Sequence, residues 1–116
     1  MTEDKRMRSD LLTPYPLGEV VGLADTASHP SNKTIAGLLT DNGLDANLHS
    51  DDVVVEITPT TSVHWTHGVT PTATTSQPVL TGGLTRQMRI PKNHKLAFIK
   101  LDGADNGNVY VHPCRE

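Results

Sequence analysis

The sequence predicts a small all-β domain: an antiparallel β-sandwich or barrel with an extended N-terminal arm. Three observations lead there. Short β-branched and aliphatic runs end at Pro or Gly, turn signals recur roughly every 8–12 residues, and the segments between them are rich in Thr and Ser with no helical period. At 116 residues the chain is one domain by size, divided into an arm over residues 1–18 and a sandwich over residues 19–116.

Residues 1–18 read as a polar start of mixed charge followed by Pro14-Tyr15-Pro16, in which each proline pushes its predecessor toward extended geometry. Residues 17–23 form a short strand candidate between glycines, and residues 29–33 a loop. Residues 34–50 are ambiguous. Ile35, Leu38 and Leu39 have i, i+3, i+4 spacing, and Asn42-Gly43 can end a helical turn. Thr34, Gly37 and Thr40 are poor helix formers, so a loop or short strand competes equally.

From residue 53 the pattern sharpens. Val53-Val54-Val55-Glu56-Ile57-Thr58 is a strand that stops at Pro59, and residues 62–69 continue with Val63 and Trp65. Residues 70–78 are a long loop, and Gly82-Gly83 a tight turn. Leu84, Met88 and Ile90 alternate with polar residues, Arg86 breaking the pattern. Pro91-Lys92-Asn93-His94 is a turn. Lys95-Leu96-Ala97-Phe98-Ile99-Lys100-Leu101 is the strongest strand, with Leu96 and Phe98 on one face. Residues 102–108 read as a hairpin turn in which Gly and Asn take positive φ, and Val109-Tyr110-Val111-His112 is the last strand, ended by Pro113.

Composition limits the function. Aromatic residues make up 3% of the chain and apolar residues 35%, so the core is thin and aliphatic. Thin cores give modest stability, which association with another surface can raise. With 10 basic against 13 acidic side chains, no basic patch suited to a nucleic-acid backbone is expected. No apolar run approaches the roughly 20 residues of a membrane helix, and the polar start carries no signal-peptide core.

Candidate chemistry is sparse. His64 and His67 have H-x-x-H spacing, but residues three apart on a strand face opposite ways. His112 and Cys114 sit two apart, too few ligands for structural zinc without His94 or another chain. Asp51, Asp52 and Glu56 lack coordination spacing, and residues 102–108 lack the calcium-loop pattern. No phosphate loop or nucleophile elbow is present. The expectation is therefore no enzyme, no metal and no cofactor. Trp65 reads as the core's largest anchor, with an interface hot spot as the alternative.

Residues 62–112 carry a further pattern. It comprises Val63-His64-Trp65, Thr70-Pro71-Thr72-Ala73-Thr74, Gln77-Pro78-Val79-Leu80, Arg89-Ile90-Pro91-Lys92, Leu96-Ala97-Phe98-Ile99 and Gly107-Asn108-Val109-Tyr110-Val111. These stretches resemble short β-sandwich virion proteins of tailed bacteriophages, of the head decoration or cement type. The resemblance covers under half the chain and brings no catalytic residues. It implies a structural protein that binds and stabilises a capsid shell. Its partners would be the major capsid protein or other virion proteins, and it would form a homo-oligomer, with a trimer as one candidate. Location in the virion follows, after synthesis in the host cytoplasm. The alternative is a receptor- or carbohydrate-binding module of a tail or fibre, which the scarcity of Tyr and Trp disfavours. The expected interface residues are Pro14, Tyr15 and Pro16 of the arm, Trp65, and Thr72 and Thr74 of the long loop.

Overall fold

A computed structural model describes residues 11–116. Within them the strands are β1 (Glu19–Leu23), β2 (His29–Pro30), β3 (Asp52–Pro59), β4 (Val63–Gly68), β5 (Val79–Leu80), β6 (Arg86–Pro91), β7 (Lys95–Lys100) and β8 (Gly107–Pro113). They form two four-stranded sheets, ordered β1-β8-β3-β6 and β2-β7-β4-β5. Every pairing is antiparallel. The domain is a small all-β sandwich.

Side-chain alternation explains why the sheets face each other. In the first sheet Val21, Leu23, Val53, Val55, Ile57, Ile90, Val109 and Val111 are buried at every second position. Val63, Leu80, Leu96 and Phe98 answer from the second. Together with Ile35, Leu38 and Leu39 they make one contiguous core. Phe98 is its only Phe and is fully enclosed.

The ambiguous segment resolves in favour of helix. One short helix, α1 (Ile35–Asp41), is capped at both ends. The Thr34 hydroxyl accepts from the Gly37 amide at 3.1 Å, the N-cap role that suits Thr despite its low helix propensity. At the other end the Leu44 amide donates to Leu39 and the Gly43 amide to Thr40, a Schellman pair with Gly43 at φ 79°. Amides of Ile35 and Ala36 donate to the carbonyls of His94 and Lys92, docking α1 on the β6–β7 turn.

Two sequence expectations need correction here. Residues 101–106 do not close a hairpin, because β7 and β8 belong to different sheets; the segment is a crossover. Within it Gly103 alone takes positive φ, and no asparagine of the described residues does. Leu84 also falls outside the alternating strand and is exposed.

The arm differs too. The part of it over residues 1–10 lies outside the described residues, but residues 11–18 are integrated into the first sheet. Pro14 bridges Cys114, the Tyr15 amide donates to the Pro113 carbonyl at 2.8 Å, and the Arg115 amide donates to Thr13 at 2.8 Å. This continues β1 along β8 after a bulge at residues 16–18. Upstream, Leu12 exchanges two hydrogen bonds with the Gln87 side chain. The boundary at residue 18 is thus not an edge of the packed unit: Tyr15 packs against the core, with the Arg115 guanidinium 4.5 Å above its ring.

Candidate protein-binding surface

The outer face of the first sheet has two halves. Strand register aligns His112, Glu56 and Gln87 in one row, with Cys114, Val54 and Arg89 beyond it. The arm lies over this half. The Tyr15 carbonyl accepts from His112 Nδ1, and Gln87 Nε2 donates to both Leu12 and Glu56. Val54 and Cys114 are consequently buried on what would otherwise be a solvent face.

The other half is open. Val20 pairs with Tyr110, and Tyr110 with Thr58. The Thr58 and Thr85 hydroxyls are 2.9 Å apart. This row crosses the whole sheet without a charge. Val20 is 54% exposed and Tyr110 39%, with Leu17 at 54% and Leu84 at 58% also open to solvent. Val20 and Tyr110 thus stand in register as exposed apolar groups on an uncharged row of the sheet.

The residues expected to form an interface do not converge on it. Pro14 and Tyr15 are half-buried within the sheet, and only Pro16, on the bulge, is exposed. Trp65 lies on β4 opposite Phe98 and packs at the margin of the core, which makes it an anchor. Thr72 and Thr74 are exposed in the β4–β5 loop, which folds over the second sheet. There Ala73 is buried and its amide donates to Ser28 Oγ at 2.8 Å. Thr74 is engaged locally with Gln77 and Ser76, while Thr72 lines a shallow groove of 320 Å³ with Pro30, Asn32, Pro71 and Lys95. The arm and the loop therefore present on different sheets. Val20 and Tyr110 were missed because alternation alone does not say which outward positions the arm leaves uncovered.

The titratable groups are held locally. β4 splits the H-x-x-H pair, as its alternation requires. His64 Nδ1 donates to the Gln77 carbonyl at 2.7 Å, whereas His67 Nδ1 lies 2.9 Å from Nδ1 of His94. Burial and the neighbouring His94 lower the pKa of His67, with Asp52 acting in the opposite direction. Asp25 is lowered by the Ala27 amide and His29, to which it is bonded at 2.9 Å. The buried Cys114 thiol is pushed up to about 11 by burial and by Glu56, which makes it a poor nucleophile. Among the described residues no group of three or more His, Cys, Asp or Glu is arranged to hold a metal, and no helix is long and apolar enough to cross a membrane. No family model, curated protein or solved structure matches the chain.

Proposed function

We propose that the chain is a non-catalytic structural protein of a phage particle that binds and stabilises the capsid shell through protein contacts. The observation that carries the binding role is the uncharged row Val20–Tyr110–Thr58–Thr85 on the open half of the first sheet. The assignment to a virion rests on the resemblance of residues 62–112 to decoration proteins. Trp65 packs at the core margin and leaves Tyr110 as the aromatic on that row, which weighs against a stacking platform for sugars.

The test is cosedimentation of the purified chain with empty shells of the phage whose genome encodes it. Stoichiometric pelleting with wild type, lost in Tyr110→Glu with unchanged circular dichroism, is the expected result. Failure to bind shells, together with binding to immobilised host glycans, would replace this reading with a tail or fibre receptor-binding module.

A further inference from the structure

Two imidazoles meet where β4 ends beside the β6–β7 turn. His67 is paired with Leu96 at the end of β4 and shares a strand face with Val63 and Trp65. His94 ends the turn, its amide donating to Pro91. The two Nδ1 atoms lie 2.9 Å apart and the ring centroids 5.1 Å apart, nearly the longest centroid distance such a contact permits. Each nitrogen therefore points at the other along the line of the ring centres, as an N–H···N hydrogen bond requires. Trp65 stacks on His67 at 6.0 Å with planes 25° apart, which restricts how that ring can turn.

This bond limits how many protons the pair can hold. One ring donates Nδ1–H and the other accepts, so the neutral pair holds unlike tautomers. A first added proton enters at Nε2 of the donor ring. It leaves the bond in place and makes it charge-assisted. A second must go to the acceptor's Nδ1. Two N–H groups then face each other, each on a cation, and the bond is lost. The two steps belong to the pair and not to either ring.

The turn that carries His94 is a junction. Its His94 and Lys92 carbonyls accept from the Ile35 and Ala36 amides of α1 at 3.1 and 2.7 Å, and the Lys92 amide donates to Asp51 at 2.8 Å. Asp52, at the start of β3, favours the protonated form of His67. Lys95 begins β7 directly after His94. The Lys92 ammonium is drawn away to the carbonyls of Ala46 and His49 at 2.8 and 3.0 Å, and His49 Nδ1 is turned to the Asp45 carbonyl at 3.1 Å. The first turn of α1, Ile35-Ala36-Gly37-Leu38, carries no charge, and Lys33 ahead of it is paired with Asp41. The Asp52 carboxylate can offset one added proton, whereas the second meets an imidazolium at hydrogen-bond distance.

We infer that the His67–His94 hydrogen bond is a pH-sensitive clasp, closed with no added proton or one and opened by the second, which frees the β6–β7 turn from β4 and loosens the end of α1 docked on that turn. Burial and the neighbouring His94 lower the pKa of His67 from its usual 6.5, against Asp52. The clasp's contribution to stability is thus complete above pH 6.5 and is lost as the pH falls below it. The H-x-x-H spacing sets His67 against His64, whereas the fold sets it against His94. The inference draws on the margin of the second sheet and does not depend on the capsid-binding proposal.

The experiment is nuclear magnetic resonance of the full chain from about pH 8 down to about pH 3.5, which spans histidine titration. Imidazole nitrogen shifts of the pair should show one Nδ1–H and one Nε2–H tautomer at the upper end. The pair should then titrate in two steps more than about one unit apart. Amide protection at Ile35 and Ala36, corrected for the intrinsic exchange rate, should fall through the second step, about tenfold for each unit by which pairing depresses it. His67→Gln places an amide that can both donate and accept opposite His94, so protection in that variant should not fall over this range. Two coincident steps in the wild type, or protection that stays constant down to the lowest pH, would overturn the inference without any variant. So would a fall in His67→Gln with the midpoint and size seen in the wild type.

Discussion

Gly18→Ala tests whether the arm belongs to the first sheet. A Cβ at residue 18 would lie 2.1 Å from the Val111 carbonyl oxygen and 2.7 Å from His112 Nδ1, so the bulge or β8 must move by about 1 Å. β8 is clamped between β1 and β3, and overpacking of such a site costs about 1–3 kcal/mol. The chain has one way to limit this: residues 11–18 can peel off. That sacrifices the Tyr15–Pro113, Thr13–Arg115 and Tyr15–His112 hydrogen bonds and uncovers Val54 and Cys114. The overpacking route sets the expected loss at about 1–3 kcal/mol, or roughly 5–15 °C in Tm for a domain of this size. Urea unfolding followed by Trp65 fluorescence and far-ultraviolet dichroism measures it. His112→Ala should not rescue the variant, because the closest atom is a backbone oxygen. A midpoint within about 0.5 kcal/mol of wild type, the range of ordinary surface changes, would refute docking of the arm.

Other predictions follow from the same structure. Phe98→Ala should cost about 3–5 kcal/mol in the same melt, because the ring is fully enclosed between the sheets. Thr34→Ala removes the N-cap acceptor of α1 and should cost about 1 kcal/mol, with Thr34→Ser close to wild type. Cys114 should resist iodoacetamide at pH 8 in the native state and react only on unfolding. Its folded pKa is raised from 9.0 to about 11, so its contribution to stability is full below pH 9 and is lost as pH climbs from 9 toward 11. Deleting residues 1–17 should lower stability and expose Cys114 to the same reagent, whereas a detached arm would leave both unchanged.

Alternation is a local signal, and what it controls was legible. The runs at residues 53–58, 95–101 and 109–112 appear as β3, β7 and β8, and Leu96 and Phe98 share the inner face because side chains alternate regardless of which strand lies alongside. Partner choice is not local. Residues 102–108 have hairpin composition, yet they carry the chain from one sheet to the other, since turn residues report only that the chain reverses. Helix α1 hid for a related reason. Thr34, poor within a helix, is the cap of one, while the helix end read at Asn42-Gly43 is where Gly43 takes positive φ. The open row at Val20 and Tyr110 and the His67–His94 pair depend on register between distant strands, which no local period encodes.

The pairing of β1 has a consequence for synthesis. Among the described residues its only neighbour in the sheet is β8, with residue 19 set against residue 111. On the ribosome β1 therefore waits unpaired until β8 has left the exit tunnel, and Val21 and Leu23 stay exposed to solvent throughout. Distant pairing of this kind slows folding and lengthens exposure to aggregation. Three of the second sheet's four strands, β4, β5 and β7, lie within residues 63–100 and have no such delay, although β2 waits for β7. These three can assemble first and serve as the template on which the first sheet closes, so truncated translation products should hold them together while leaving the Val20–Tyr110 face unmade.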